Sequence, residues 1–257
     1  MPKPKVCVLR AAGTNCDAET VYACERAGAL PERVHVNRLI ENPDRLGQYQ
    51  MLIIPGGFTY GDDISAGKVL AVQLANTLTE VLGEFVAADK LIVGICNGFQ
   101  VLAKMGLLPG GEIGGEQDVT LSANDSNRFE DRWVTLRAES SRSVFIKEGQ
   151  VLYLPVAHAE GKFVPRDGVI LRRMQVAGQV IFRYVSANGG KPEYPDNPNG
   201  SVDDVAGICD TSGHILGMMP HPERHVEPWH HPQWTRKGMT PEGDGLQIFR
   251  NAVQYFA

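Results

Sequence analysis

Leu91-Ile92-Val93-Gly94-Ile95-Cys96-Asn97-Gly98-Phe99-Gln100 is the stretch on which the fold of this 257-residue chain turns. A short apolar run rich in β-branched residues meets Gly94, then Cys96 two residues on and Gly98 two further, and a helix-compatible segment follows over 99–105. The pattern predicts strand, tight turn, helix. Small residues on both sides of Cys96 suit a strained turn that holds one side chain proud of the sheet edge, which is the mechanics of a nucleophile elbow. The sulfur would sit at the first turn of a helix, where unpaired N–H groups and the positive dipole end favour an anion. A buried core cysteine is the competing reading of any free thiol, so the surrounding chain has to decide.

Outward toward the N-terminus, 6–9 reads as a buried strand, Gly13-Thr14-Asn15-Cys16-Asp17 as a polar turn, and 18–27 as a helix. A second strand is expected at 34–39, a turn at Asn42-Pro43-Asp44, and a third strand at 51–54 that stops at Pro55-Gly56-Gly57. Leu70, Leu74, Leu78, Leu82 and Phe85 keep helical spacing, which predicts one long amphipathic helix within 64–86 leading to the Cys96 strand. Strands alternating with helices imply a parallel sheet covered on both faces. Beyond Leu108 come Pro109-Gly110-Gly111 and then short strand-like pieces at 119–121, 133–136, 151–156, 180–185, 205–209 and 214–219. With few long helical patterns between them, they are expected to add antiparallel strands. The fold class is therefore α/β, a mostly parallel sheet with helices on both faces and antiparallel strands added in the C-terminal half, with 1–257 as one domain. Residues 224–243, rich in Pro, His and Trp, read as a surface loop, and 245–255 as a last helix with Leu246, Phe249 and Val253 on one face.

A hydrophobic content of 43% is enough for a full core, and a net charge of -5 supplies no basic field for phosphate backbones, so nucleic acid is not expected as a partner. Cys7, Cys16, Cys24, Cys96 and Cys209 are odd in number and scattered without a CxxC pair, which suggests neither a disulfide framework nor a zinc knuckle and fits a reducing cytoplasm. Met1-Pro2-Lys3-Pro4-Lys5 leads only into a short apolar strand, and no run approaches the ~18 apolar residues of a membrane span, so neither export nor membrane insertion is expected.

The second chemical signal is His221-Pro222-Glu223, at a strand end more than a hundred residues after the cysteine. A thiol nucleophile needs a base to take its proton and return it to a leaving amine, and that base needs an acceptor to hold its tautomer. Two residues apart on an extended segment, His221 and Glu223 share a face and suit those tasks. A hydrogen-bonded surface histidine beside a proline is the bland alternative.

Taken together, Gly94-Ile95-Cys96-Asn97-Gly98-Phe99-Gln100, His221-Pro222-Glu223 and Pro55-Gly56-Gly57 resemble the class I (triad) glutamine amidotransferases. The branch they resemble is that of the glutaminase subunits of phosphoribosylformylglycinamidine synthases. Gly13-Thr14-Asn15-Cys16-Asp17, Gly56-Gly57-Phe58-Thr59-Tyr60-Gly61-Asp62, Asn127-Arg128-Phe129, His158-Ala159-Glu160-Gly161, Asn197-Pro198-Asn199-Gly200-Ser201 and Gly217-Met218-Met219-Pro220-His221-Pro222-Glu223-Arg224 carry that resemblance in order along almost the whole chain.

The resemblance implies Cys96 as nucleophile, His221 as base and then acid, Glu223 as its orienting partner, and the N–H groups of Gly57 and Asn97 as the oxyanion hole. It places Gln100, Asn127, Arg128 and Phe129 near the substrate or a partner subunit. Glutamine would be the substrate and ammonia the product that is passed on. No GxxxxGK[ST] phosphate loop is present, so no cofactor is expected in this chain and ATP with Mg is assigned to the partner. By resemblance that partner is a large synthase subunit, with a small third subunit in the assembly, and 158–161 and 224–243 are candidate docking surfaces.

After Gly61-Asp62 members of the branch carry an aromatic residue and then an arginine, where this chain has Asp63-Ile64-Ser65. His225, His230 and His231 are not spaced like a zinc ligand set, and no metal is expected. Three rival readings fit the sequence less well. Cysteine-elbow hydrolases and chaperones lack the late His-Pro-Glu, a glutaminase serving another synthase lacks the Gly-Thr-Asn-Cys-Asp opening, and a regulatory subunit without turnover has no need of all three triad positions.

Overall fold

The computed structural model describes residues 3–257 apart from 187 and 189, so Met1 and Pro2 lie outside the described residues. In chain order the elements are β1 (Lys5–Arg10), α1 (Asp17–Ala27), β2 (Leu30–His35), α2 (Val36–Glu41), β3 (Met51–Ile54), α3 (Lys68–Thr77), α4 (Thr79–Ala87), β4 (Leu91–Ile95), α5 (Asn97–Lys104) and α6 (Leu107–Gly110). They continue with β5 (Val119–Ser122), β6 (Glu130–Ala138), β7 (Val151–His158), β8 (Lys162–Pro165), α7 (Gly168–Val176), β9 (Val180–Tyr184), β10 (Val205–Cys209), β11 (Ile215–Met218), α8 (Trp234–Lys237) and α9 (Leu246–Gln254).

The apolar runs at β3, β4 and β11 are buried throughout, as strands covered on both faces must be. They lie inside a nine-stranded sheet of order β2-β1-β3-β4-β11-β10-β9-β6-β7. From β2 to β11 all neighbours are parallel, and from β11 to β7 all are antiparallel. β5 and β8 pair separately as an antiparallel ribbon. The expected parallel sheet with added antiparallel strands is the architecture observed. Among the described residues no single helix is long and apolar enough to cross a membrane.

Four local expectations need correction. The strand expected at 34–39 is β2 followed at once by α2, because the His35 ring accepts from the Asn37 N–H and so caps a helix on which Val36 and Leu39 are buried. The long helix expected within 64–86 is α3 and α4, bent by 85° at Leu78. Leu70, Leu74, Leu78, Leu82 and Phe85 are all buried as their spacing predicts, but the Thr77 and Thr79 hydroxyls bond back to the Gln73 and Ala75 carbonyls and compete with the helix ladder. β8 and α7 were not anticipated, although Asp167 caps α7 by accepting from the Val169 and Ile170 N–H groups. Finally, 224–243 is only partly a surface loop: 232–241 is exposed, whereas His225, Val226 and Glu227 are buried, with Glu227 accepting from Tyr22 Oη at 2.7 Å and paired with Arg26.

Candidate active site

Parallel neighbours release their carboxyl ends at one sheet edge, so the turns after β1, β3, β4 and β11 converge there. Their backbones are tied together. The Phe58 N–H donates to the Gly13 carbonyl at 3.0 Å, the Cys16 N–H to Gly56 at 3.2 Å, and the Cys96 N–H to Met218 at 2.8 Å. Because Met218 stands opposite Ile95 in the β4–β11 register, the residues just beyond, Cys96 on one strand and 219–223 on the other, emerge side by side.

Cys96 has φ +50° and ψ -105°, a conformation L-residues avoid, and Asn97 opens α5 directly after it. The flanking glycines explain how the turn is held. A Cβ on Gly98 would lie 1.9 Å from the Ile54 carbonyl oxygen, and one on Gly94 would lie 2.6 Å from that of Gly98, so strand and helix approach closer than any side chain permits. Cys96 is buried, and its sulfur contacts the Ala157 carbonyl at 3.7 Å near the end of β7. Desolvation pushes the Cys7 and Cys209 thiols up to about 12, Cys24 higher still, and raises Cys16.

His221 Nδ1 lies 2.6 Å from Glu223 Oε1, and both residues are buried. A carboxylate only accepts, so the ring proton sits on Nδ1 and Nε2 is left without a protein partner. The sequence placed the pair on one extended face. In fact residues 222–224 form a 3-10 turn that folds the carboxylate back under the ring. Burial alone would lower the imidazole pKa, but the Glu223 carboxylate and the Cys96 sulfur outweigh it and hold His221 well above its ordinary value. A Cβ on Gly56 would sit 2.7 Å from His221 Cε1, so the ring is also packed against the turn after β3.

Gly57 has φ +148°, and a Cβ there would meet the Gly13 oxygen at 2.7 Å and the Asn15 nitrogen at 2.8 Å; glycine is required on both counts. Asn97, the first residue of α5, has no helical acceptor for its N–H. Its side chain accepts from Thr59 Oγ1 at 2.6 Å and donates to Asp62 Oδ1 and Gln100 Oε1, each at 3.0 Å. The turn after Gly57 and the start of α5 are therefore tied together.

A cavity of about 230 Å³ opens here, with Gly57, His221, Ala157, Phe129, Asn15 and Cys16 in its wall. Phe58 faces Phe129 across it at 6.2 Å between ring centroids. Of the residues singled out in the sequence, Phe129 lines the cavity, Asn127 and Arg128 are exposed beside it, and Gln100 does not reach it. Gln100 is 3% exposed and spent on internal bonds, Nε2 on the Glu160 carbonyl and Oε1 on Asn97. Of the suggested docking segment 158–161, His158 is buried and bonded to Asn124, so its side chain is not a surface feature. The Asp63-Ile64-Ser65 departure forms an outward bend in which Ile64 is 90% exposed at φ +72°.

Cys16, Asn15, Asp131 and Arg224 in the cavity wall were missed. The glycine-bounded turn at 13–17 was the one signal that could have pointed to the first two. Cys16, His221 and Glu223 offer ligand atoms within 4.8 Å of one another. Arg224 Nη2 at 3.1 Å from the Cys16 sulfur, together with the Nδ1–Oε1 bond, occupies that ground with a cation and a proton already.

The sequence model of the CobB/CobQ-like glutamine amidotransferase domain matches residues 3–256. The chain belongs to this family. Within it, the chain is 47% identical over 258 residues to the phosphoribosylformylglycinamidine synthase subunit PurQ of Dehalococcoides mccartyi, covering 99% of this chain and 98% of that one. It is 40% identical to the same-named subunit of Archaeoglobus fulgidus, covering 98% and 96%. Among solved structures, a chain of PurLQS from Thermotoga maritima superposes with a TM-score of 0.75 at 32% identity, covering 100% of both chains. The glutamine amidotransferase fold and the convergence of a cysteine elbow with a His–Glu pair thus occur in one molecule.

Proposed function

We propose that this chain is the glutaminase subunit of a phosphoribosylformylglycinamidine synthase, hydrolysing glutamine and passing ammonia to a separate ATP-dependent polypeptide. The observation that carries the reading is the 2.6 Å His221–Glu223 bond, which leaves Nε2 free beside an elbow cysteine. Relatives named for that subunit match over nearly their full length and support this synthase among the glutamine-using ones.

The proposed steps assign each residue one task. The Cys96 sulfur attacks the side-chain amide carbon of glutamine, and its proton goes to His221 Nε2. The N–H groups of Gly57 and Asn97 take the charge that develops on oxygen; one such donor is typically worth ~3 kcal/mol. The C–N bond breaks as His221 returns the proton to the leaving nitrogen, giving ammonia and a glutamyl thioester. Water, deprotonated by the same nitrogen, then attacks the thioester carbon, and glutamate leaves with Cys96 restored. Glu223 keeps the ring proton on Nδ1 throughout and stabilises the imidazolium between steps. Ammonium at neutral pH is a poor nucleophile, so the ammonia has to pass under cover to the large synthase subunit. That subunit supplies ATP and Mg, with a small third subunit in the assembly, and converts formylglycinamide ribonucleotide to formylglycinamidine ribonucleotide.

The test is the reconstituted complex carrying Cys96→Ala. Glutamine-dependent formation of formylglycinamidine ribonucleotide is expected to vanish while synthesis from added ammonium salt persists. Loss of both activities would overturn the division of labour, and a wild-type complex unable to use glutamine would overturn the reading itself.

A further inference from the structure

The reaction as written leaves one contact of the imidazole unused. On the Nδ1 side of His221, the Cys16 sulfur stands 3.9 Å away. It is held from three directions: its S–H donates to Asn15 Oδ1 at 3.2 Å, it accepts from Arg224 Nη2 at 3.1 Å, and its own N–H is bonded to Gly56. Arg224 is in turn fixed by Glu19 Oε1 at 3.1 Å. The Cys16 carbonyl accepts from the Thr20 N–H and hydroxyl, which anchors the residue at the start of α1.

We propose that Cys16 is a positioning residue for the glutaminase reaction, its sulfur filling the space against the Nδ1 edge of His221 so that no water reaches the ring proton and Glu223, at 2.6 Å, stays its nearest acceptor. The sulfur is no second nucleophile, since burial raises its pKa and its proton is engaged by Asn15. At 3.9 Å no water fits between sulfur and ring. Cys16 nevertheless lines the cavity, so removing its sulfur opens a gap continuous with the solvent-accessible space. Asn15 Oδ1, Arg224 and Glu223 would border that gap, and a water needs only two to four such partners to settle. Once there, it competes for the Nδ1 proton and for the carboxylate, and the ring loses its single orientation. Serine in place of Cys16 keeps a polar group with both bonds and leaves less room.

The charged and titratable groups bearing on His221 are Glu223 and the Cys16 and Cys96 sulfurs. His158 acts on it from β7, Arg224 bears on it through Cys16, and Asp131 lines the same cavity from β6. Weakening the Nδ1–Glu223 bond removes support for the imidazolium, so the limb of the pH profile that reports the imidazole should move to lower pH.

This inference rests on the glutaminase reading, and two readouts separate them. In the complex, Cys16→Ala is expected to lower kcat for glutamate release about 10-fold, a part of the ~10²–10⁴ that positioned acid–base groups contribute, with KM within about two-fold. The imidazole limb shifts down, and Cys16→Ser recovers most of kcat. In the free chain, the downfield proton resonance of the His221–Glu223 bond should be present in the wild type, persist in Cys16→Ser and exchange faster in Cys16→Ala, whether or not glutamine is turned over. The proposal falls if Cys16→Ala leaves kcat and the pH limb unchanged, if its loss lies in KM, or if the proton resonance is unaltered. Should the alanine variant not fold, a serine variant with an unmoved limb and wild-type proton exchange supports the positioning role, and one as slow as a Glu223→Gln variant with that resonance intact overturns it.

Discussion

The parallel half of the sheet, β2-β1-β3-β4-β11, and the antiparallel half, β10-β9-β6-β7, differ in what their strand ends can deliver. Parallel strands all end at one edge, so four neighbours send their turns to the same place, and Cys16, Gly57, Cys96 and His221 arrive on separate rigid supports. Antiparallel strands alternate, so the starts of β10 and β6 and the ends of β9 and β7 reach that edge, and the cavity is bordered there by the junction of β7's end with β6's beginning. That junction contributes the Ala157 carbonyl, Asp131 and, just before β6, Phe129. The proposed reacting atoms come from the parallel half, and the cavity wall is shared between the two. Two of the buried histidines follow the same division: His221 is held above its ordinary pKa beside a carboxylate, whereas burial, with repulsion from His221, pushes His158 down to about 3.

The comparison breaks most visibly if a parallel-half residue proves dispensable. His221→Ala should lower the rate of thioester formation by roughly 10²- to 10⁴-fold, and Glu223→Gln by less, as single-turnover measurements with glutamine would show. The losses should not add, because the two residues act as a unit; a double variant whose loss is the product of the single losses would count against that.

Next in size is Gly98→Ala. Its Cβ would lie 1.9 Å from a backbone oxygen of β3, so the elbow has to open, at about 1–3 kcal/mol of stability read from the denaturant midpoint, together with most of the activity. Gly83→Ala on α4 meets nothing within 4 Å and should be neutral or slightly stabilising. Equal effects at the two glycines would remove the steric account of the elbow.

The smallest effect separates the histidines by pH. The folded state keeps His158 neutral while the unfolded chain takes up a proton below about 6.5, so this group lowers stability as pH falls from there toward about 3, by on the order of 1 kcal/mol per pH unit. His221 has the opposite sign: its contribution is complete below its unfolded pKa and is lost as pH rises through the elevated folded value. Melting temperatures across pH 4–8, chosen to span the roughly 6.5 reference value, should show a flatter acid limb for His158→Gln. An unchanged acid limb would mean that His158 is not held neutral.

What could be read in the sequence is what is encoded locally. The glycines around Cys96 and after β3 mark turns by their own stereochemistry, and His221 and Glu223 are so close in the chain that a 3-10 turn and an extended strand both bring them together. The bend at Leu78 was hidden because the leucine spacing continues through it, and only the hydroxyls of Thr77 and Thr79 carry the signal. The cavity wall was hidden for another reason. Cys16, Arg224 and Asp131 become neighbours of Phe129, which the resemblance named, through sheet order, and no spacing along the chain reports that. Gln100 was placed near the substrate or a partner subunit by resemblance alone, and its side chain is consumed in holding α5 to residue 160.

The place of β11 has a consequence for how the molecule is made. It is the last strand in the chain, yet it lies between β4 and β10 in the middle of the sheet. During synthesis the elbow segment is therefore complete while one edge of β4 still has no partner and no imidazole stands beside the sulfur. An open, apolar strand edge is a pairing hazard, and contacts this distant in sequence form slowly. The same insertion that closes the sheet carries His221 to the Cys96 turn, so the edge of β4 is covered and the two side chains meet in one step.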